Sequence, residues 1–100
     1  MCRIFAGQDP ESYASETRSL RLHGYSTSIR LERAFWTTLD EIAAADGLST
    51  PQFITRLHDE VLELNGAAPN FTSLLRCACL VHLSRQAAPQ RRAAAAMAAE

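Results

Sequence analysis

The chain has 100 residues, of which 47% are hydrophobic and 21% charged, and its formal net charge is −1. This composition is ordinary for one soluble globular domain, and the near-neutral charge excludes a general attraction to nucleic acid or acidic lipid. No segment approaches the roughly 20 apolar residues of a membrane-spanning helix, so we expect a cytoplasmic protein without a membrane contact.

The chain begins with a mixed polar segment, residues 1–17, in which an Asp-Pro pair indicates a turn or a helix start. Residues 18–22 (RSLRL) alternate weakly, with two leucines on one side of an extended chain. The dipeptide His23-Gly24 interrupts this extended stretch before a stronger pattern begins.

Residues 24–33 (GYSTSIRLER) alternate strongly and predict a β-strand. One face carries the side chains that suit a core, namely Tyr25, Thr27, Ile29 and Leu31. The other face carries Ser26, Ser28 and Arg30, and because serine is not favoured in strands, a role beyond folding is indicated. The backbone of the strand needs a hydrogen-bonded neighbour, which either residues 18–22 or a second chain can supply.

The period of the hydrophobic pattern changes at Glu32, where a first helix is predicted. Its apolar stripe is formed by Phe35, Leu39, Ile42 and Ala43. Gly47 is suited to end this helix in a left-handed conformation.

A second helix is predicted from about residue 50 to residue 65. Ser49 has the context of an N-cap, with a proline in the first turn and Gln52 at the capping-box spacing. The Asn-Gly pair at positions 65 and 66 closes the helix. Its apolar stripe contains Phe53, Ile54, Leu57, Val61 and Leu64.

The C-terminal part of the chain predicts one more helix. Residues 71–86 are apolar nearly all round and are therefore expected to be buried on more than one side. The alanine-rich tail, residues 87–100, has no partner pattern, and both a frayed helix and a disordered chain agree with its composition.

Residues 24–64 resemble a ribbon-helix-helix domain. The matching features are the strand STSIRL, the first helix ERAFWTTLDEIAAADG, the turn DGLST and the second helix beginning TPQFITRL. The wider sequence, from MCRIF to the helix at residues 71–84, is similar to a bacterial subgroup of short ribbon-helix-helix proteins. The resemblance implies a mainly α-helical fold with a short β-ribbon, formed as an intertwined homodimer. The domain would span residues 18–66, with an additional helix within residues 67–86 packed on it.

The resemblance also implies binding to double-stranded DNA by a homodimeric transcriptional repressor or autoregulator that needs no cofactor. Base contacts fall to Ser26, Ser28 and Arg30, because the major groove admits a two-stranded ribbon. Phosphate contacts fall to the backbone amides of Ser49 and Thr50 and to Arg33. The implied dimer core contains Thr27, Ile29, Leu31, Phe35, Leu39, Ile42, Ile54, Leu57 and Val61.

The pairing of residues 18–22 decides whether this mode of DNA binding is available. Strands lie about 4.8 Å apart, so a ribbon of two hairpins would have four strands and exceed the roughly 12 Å groove. Local charge agrees modestly with DNA binding, since Arg18, Arg21, Arg30 and Arg33 accompany a single acid, Glu32, between residues 18 and 33. Binding to DNA should therefore be modest and strongly dependent on salt.

Other chemistry has little support in the sequence. The three cysteines, Cys2, Cys77 and Cys79, suggest no disulfide framework. Cys79 and His82 share a helix face, but zinc requires four converging ligands, so no metal site is predicted. Catalysis by His58, Asp59 and Glu60 is not expected, because neighbouring helical positions point in different directions.

The sequence therefore predicts a protein that is not an enzyme. The alternative function is a protein-interaction module of the antitoxin type, with little or no DNA binding. In that case the helix at residues 71–84 would dock a protein partner.

Overall fold

A computed structural model describes residues 2–98, with side chains described as far as residue 87. The elements in chain order are α1 (Cys2–Ala6), a short 3₁₀ helix (Pro10–Tyr13), β1 (Ser15–Leu22), β2 (Tyr25–Glu32), α2 (Arg33–Ala45), α3 (Thr50–Asn65) and α4 (Phe71–Ala98). A two-stranded ribbon followed by helices confirms the predicted fold class. None of the helices in the described part is long and apolar enough to cross a membrane.

The two strands form an antiparallel hairpin within one chain. Leu22 lies opposite Tyr25 across a two-residue turn, and the turn residues His23 and Gly24 have φ angles of 53° and 83°. Two successive residues in the left-handed region are typical of a type I′ turn, whose twist matches that of the strands. The partner of the predicted strand is therefore β1 of the same chain, and β1 begins at Ser15 rather than at residue 18.

The inner face of the hairpin supplies four of the nine residues of the buried cluster. Its leucines and isoleucine pack on the three long helices, because alternate residues of each strand point to one side. The buried cluster consists of Leu20, Leu22, Ile29, Leu31, Trp36, Leu39, Ile54, Leu75 and Cys79. This core is complete within a single chain.

The residues expected in a dimer core lie in the core of the single chain or against it. Five are buried, namely Ile29, Leu31, Leu39, Ile54 and Val61. Phe35, Ile42 and Leu57 are partly buried and pack against the cluster. Thr27 is half-buried on the inner face of the ribbon. Their burial therefore does not require a second copy of the chain.

The ends of α3 follow the predicted capping pattern. The Ser49 side chain accepts a hydrogen bond from the Gln52 amide at 3.2 Å, and the Gln52 side chain accepts one from the Ser49 amide at 2.9 Å. Gly66 ends the helix with a φ of 75°, and its N–H donates to the Leu62 carbonyl. These reciprocal bonds satisfy amides that the first helical turn would otherwise leave unpaired.

The prediction that residues 71–86 are buried on more than one side is not met within the single chain. Leu75 and Cys79 are fully buried, but Leu80, Val81 and Leu83 are 59%, 53% and 46% exposed. The reason is that one stripe of α4 suffices to close the core, and the rest of its apolar surface has no neighbour among the described residues. The backbone of α4 continues through the alanine-rich tail as far as Ala98, and residues 99 and 100 lie outside the described part.

Candidate nucleic-acid interface

The three residues predicted to contact bases lie together on the outer face of the ribbon. The register places Ser26 opposite Arg21, Ser28 opposite Ser19 and Arg30 opposite Thr17, and all six residues are exposed. The hydroxyl oxygens of Ser19 and Ser28 lie 3.4 Å apart. The sequence analysis offered residues 18–22 as a partner strand but did not include Ser19 and Arg21 among the base-contacting residues, although their alternation with two leucines places them on this face.

The outer-face residues of β2 also lie along an unpaired edge of the sheet. The Arg33 amide donates to the Ala14 carbonyl at 2.9 Å, which identifies residues 14 and 33 as a hydrogen-bonded pair. Such pairs alternate with pairs whose backbone groups point away from each other. By this alternation, the backbone N–H and C=O groups of Ser26, Ser28 and Arg30 point away from β1. They are available to another strand or to a ligand.

The charge of the outer face is positive. Among the residues with described side chains, neither Arg21 nor Arg30 forms an ion pair. Glu32 is bound by Arg76 at 2.9 Å, and the hydrogen bond from Arg76 lowers the pKa of this carboxyl. The only outer-face acid of the hairpin is therefore neutralised, and the two arginines keep their charge available.

The other cations near the ribbon are already paired. Arg18 lies on the inner face, where it donates to Asp40 at 2.9 Å and to Glu16 at 2.7 Å. Arg33 forms ion pairs with Glu11 and, at 3.7 Å, with Glu16. Both arginines are thus engaged in ion pairs within the chain.

The phosphate contacts expected at the start of α3 remain a prediction, and the residues concerned already have partners within the chain. The Ser49 amide already donates to the Gln52 side chain, and the Thr50 hydroxyl donates to Asp40. A phosphate would compete with the capping box and would meet the carboxylate of Asp40 beside Thr50. Phosphate binding here would also have to displace Glu11 and Glu16 from Arg33.

Cys79 is held as a structural thiol. Its Sγ donates to the Phe35 carbonyl at 3.6 Å, and burial raises the pKa of the thiol to about 11. His82, three residues later on the same helix, forms a hydrogen bond with the Gln86 side chain at 3.0 Å. A protonated, buried sulfur is a poor metal ligand, because metals bind the thiolate.

A family model described as a ribbon-helix-helix domain matches residues 15–83. This chain belongs to the ribbon-helix-helix family. The match begins at the first residue of β1 and ends within α4, so the hairpin and the three long helices all contribute to the matched region. Ribbon-helix-helix domains are generally DNA-binding transcription regulators or antitoxins and are not typically enzymes.

A solved structure shares this ribbon-helix-helix architecture. It is that of an uncharacterized protein from Bordetella pertussis Tohama I, which is 50% identical in sequence and superposes with a TM-score of 0.85. The similarity covers 89% of this chain and 71% of that chain. None of the curated proteins compared with the sequence matches it.

Proposed function

We propose that this ribbon-helix-helix protein is a homodimeric, sequence-specific DNA-binding protein that represses transcription. The observation that carries the proposal is the outer face of the hairpin. It presents two unpaired arginines, Arg21 and Arg30, among small hydroxyl side chains, and its one acid is neutralised. Arginine can bond guanine bidentately, and serine can donate to or accept from any base.

Because the hairpin forms within one chain, the ribbon that enters the major groove of DNA would come from a single chain. Two strands about 4.8 Å apart suit the roughly 12 Å major groove, so a single chain already supplies a ribbon of suitable width. A four-stranded ribbon joined along the free edge of β2 would be too wide. Each chain of the proposed dimer would therefore insert its own hairpin.

The two arginines define the extent of the proposed contact. Arg21 lies opposite Ser26, four residues from Arg30 along β2. Four residues of a strand span about 13 Å. This length matches about four base pairs at 3.4 Å each. Arg21 and Arg30 would thus bracket a short half-site, with Ser19, Ser26 and Ser28 between them.

The apolar surface of α4 supports the homodimer. Leu80 and Leu83 are one helical turn apart, Val81 lies beside them, and all three are exposed. Exposed apolar groups of this kind commonly mark an interface. Pairing through α4 would leave both hairpins free for DNA.

Binding to duplexes from the region upstream of the protein's own gene, measured by fluorescence polarisation, tests the proposal. Arg30→Ala and Arg21→Ala should each weaken specific binding about tenfold to a hundredfold, since one bidentate contact contributes about 1–3 kcal/mol of discrimination. Arg56→Ala, which removes an exposed arginine of α3, is the matched control and should bind as the wild type does. Absence of wild-type binding to any duplex at low salt would refute the proposal.

The exposed surface of α4 also favours a second candidate, the antitoxin-like interaction module. In this case Leu80, Val81 and Leu83 would be covered by a different protein. Removing the chain after Gly66 would not be a suitable test of partner binding, because the truncated protein would lack Leu75, a fully buried core residue. The double substitution Leu80→Glu, Leu83→Glu is suitable instead. Two results together would favour this candidate: the wild-type protein binds no DNA but co-purifies with a stoichiometric protein partner, and the double variant loses that partner.

A further inference from the structure

Three potential metal ligands converge where the hairpin turn meets α3. The Nε2 atom of His23 lies 3.3 Å from Nδ1 of His58 and 2.9 Å from Oδ1 of Asp59. One ligand atom from each residue lies within 4.8 Å of the other two. From the sequence, the side chains of His58 and Asp59 were expected to point in different directions. The third potential ligand, His23, lies 35 residues before His58 and was not predicted to be near them.

The contacts of His23 place one ring nitrogen between two potential acceptors. A ring nitrogen of neutral histidine either donates or accepts, so a single N–H could at best be shared between them. Nε2 of His23 nevertheless faces both the nitrogen of His58 and the carboxylate of Asp59. A cation at the centre of the triangle would use the lone pairs of all three groups at once.

The spacing and the donor types agree with a transition metal. Zinc–nitrogen bonds of about 2.0–2.1 Å in a tetrahedral site place neighbouring ligand atoms about 3.3 Å apart. Two imidazoles and one carboxylate suit zinc and neighbouring divalent ions, whereas calcium and magnesium prefer oxygen ligands alone. Because the side chains of His23 and Asp59 are 46% and 48% exposed, solvent can reach the open fourth position.

One ring contact and the backbone of the turn position two of the ligands. The His58 ring packs edge-on against Phe71, with 4.9 Å between the ring centroids. His23 occupies the first position of a type I′ turn, where asparagine or aspartate is usually preferred. Histidine is also enriched in this left-handed conformation, so the turn can hold the imidazole beside α3.

We propose that His23, His58 and Asp59 bind one divalent transition-metal ion, with Zn²⁺ as the representative ion and water at the fourth position. The ion would join the end of the ribbon to α3 and so fix the orientation of the outer face relative to the helices. The proposal is independent of the proposed function, because it concerns a contact within one chain.

Titration calorimetry with Zn²⁺ on the untagged full chain tests the proposal. We expect one ion per chain, and His23→Asn, His58→Gln and Asp59→Asn should each weaken binding by at least about tenfold, the loss that even an outer-shell partner can cause. His23→Asn is the most informative variant, because asparagine tolerates the left-handed backbone of the turn. Asp59→Asn keeps the shape of its side chain, so these two variants decide the outcome if His58→Gln does not fold.

Two controls separate this site from other zinc ligands. His82→Gln removes the remaining histidine and should leave the affinity unchanged. The exposed thiols are removed by Cys2→Ser with Cys77→Ser, and binding should persist in that double variant. Zinc should also shift the imidazole resonances of His23 and His58, but not those of His82. No saturable binding to the wild type, undiminished binding to His23→Asn, or loss of binding with the thiols would overturn the proposal.

Discussion

Arg18 joins the ribbon to the helices. Its guanidinium bonds to Asp40 and Glu16 and lies 4.5 Å above the Trp36 ring. Burial opposes the ionisation of Asp40, but hydrogen bonds from Arg18 and Thr50 outweigh this effect, so the pKa of Asp40 is below its usual value. The hydrogen bond to Asp40 correspondingly raises the pKa of Arg18. This polar group explains why an arginine is accommodated on the inner face of the sheet.

Asp40→Asn should lower the free energy of unfolding by about 1 kcal/mol at pH 7, a modest value because the ion pair is partly exposed. A carboxyl whose pKa is lowered by folding stabilises the protein above its usual pKa of 3.8, and this stabilisation is lost as the pH falls through the folded-state value. Urea unfolding followed by Trp36 fluorescence should therefore separate the two proteins at pH 7 and show no difference at strongly acidic pH. Glu41→Gln, an exposed acid on the same helix, is the control. An equal difference at both pH values would contradict this account.

The cysteines should differ in reactivity. Cys2 and Cys77 are exposed, whereas Cys79 is buried and burial raises the pKa of its thiol to about 11. Since the thiolate is the reactive form, Cys79 should remain inert at pH 8. A thiol-specific colorimetric reagent should titrate two groups in the native protein and three in denaturant. Rapid reaction of three thiols in the native state would show that α4 opens readily.

At the scale of elements, α4 belongs to the folding unit although it follows the strand and two helices. Leu75 and Cys79 of α4 complete the cluster formed by the ribbon, α2 and α3. Arg76 of the same helix binds Glu32 at the end of β2. The helix thus contacts the domain through both an apolar stripe and an ion pair.

Leu75→Ala should lower the free energy of unfolding by about 2–5 kcal/mol, because it leaves a cavity in a closely packed core. Ser73→Ala, at an exposed position of the same helix outside the proposed dimer interface, should change it by at most about 0.5 kcal/mol. Chemical denaturation of the two variants under one set of conditions provides the comparison. Similar effects of both substitutions would mean that α4 packs differently on the domain.

At the scale of the whole molecule, the proposed dimer separates the surface for association from the surface for DNA. The single chain has a complete core, but α4 leaves Leu80, Val81 and Leu83 uncovered. The outer face of the hairpin is polar and positively charged. A dimer formed through α4 would bury the first surface and keep two copies of the second.

Light scattering should give a mass twice the 11.0 kDa of one chain. The double substitution Leu80→Glu, Leu83→Glu should give a folded monomer, since both side chains lie outside the core. Circular dichroism checks that the fold is kept. A wild-type protein that stays monomeric at high concentration would exclude the dimer.

Features that depend on near neighbours in the chain could be predicted from the amino-acid sequence. The capping box of Ser49 and Gln52, the glycine end at Gly66 and the polar face of Ser26, Ser28 and Arg30 follow from local periodicity and backbone preferences. These preferences act over a few residues, so the local sequence pattern is enough to predict the features.

Three features required the three-dimensional structure: the strand that pairs with β2, the covered side of α4 and the residues that contact His23. A hairpin and an intermolecular ribbon satisfy the same backbone groups, so the alternation of residues 24–33 cannot distinguish them. The meeting of His23 with His58 and Asp59 depends on how the hairpin packs against α3, a contact between residues 35 positions apart. Such contacts result from the packing of the whole core, which no local period encodes.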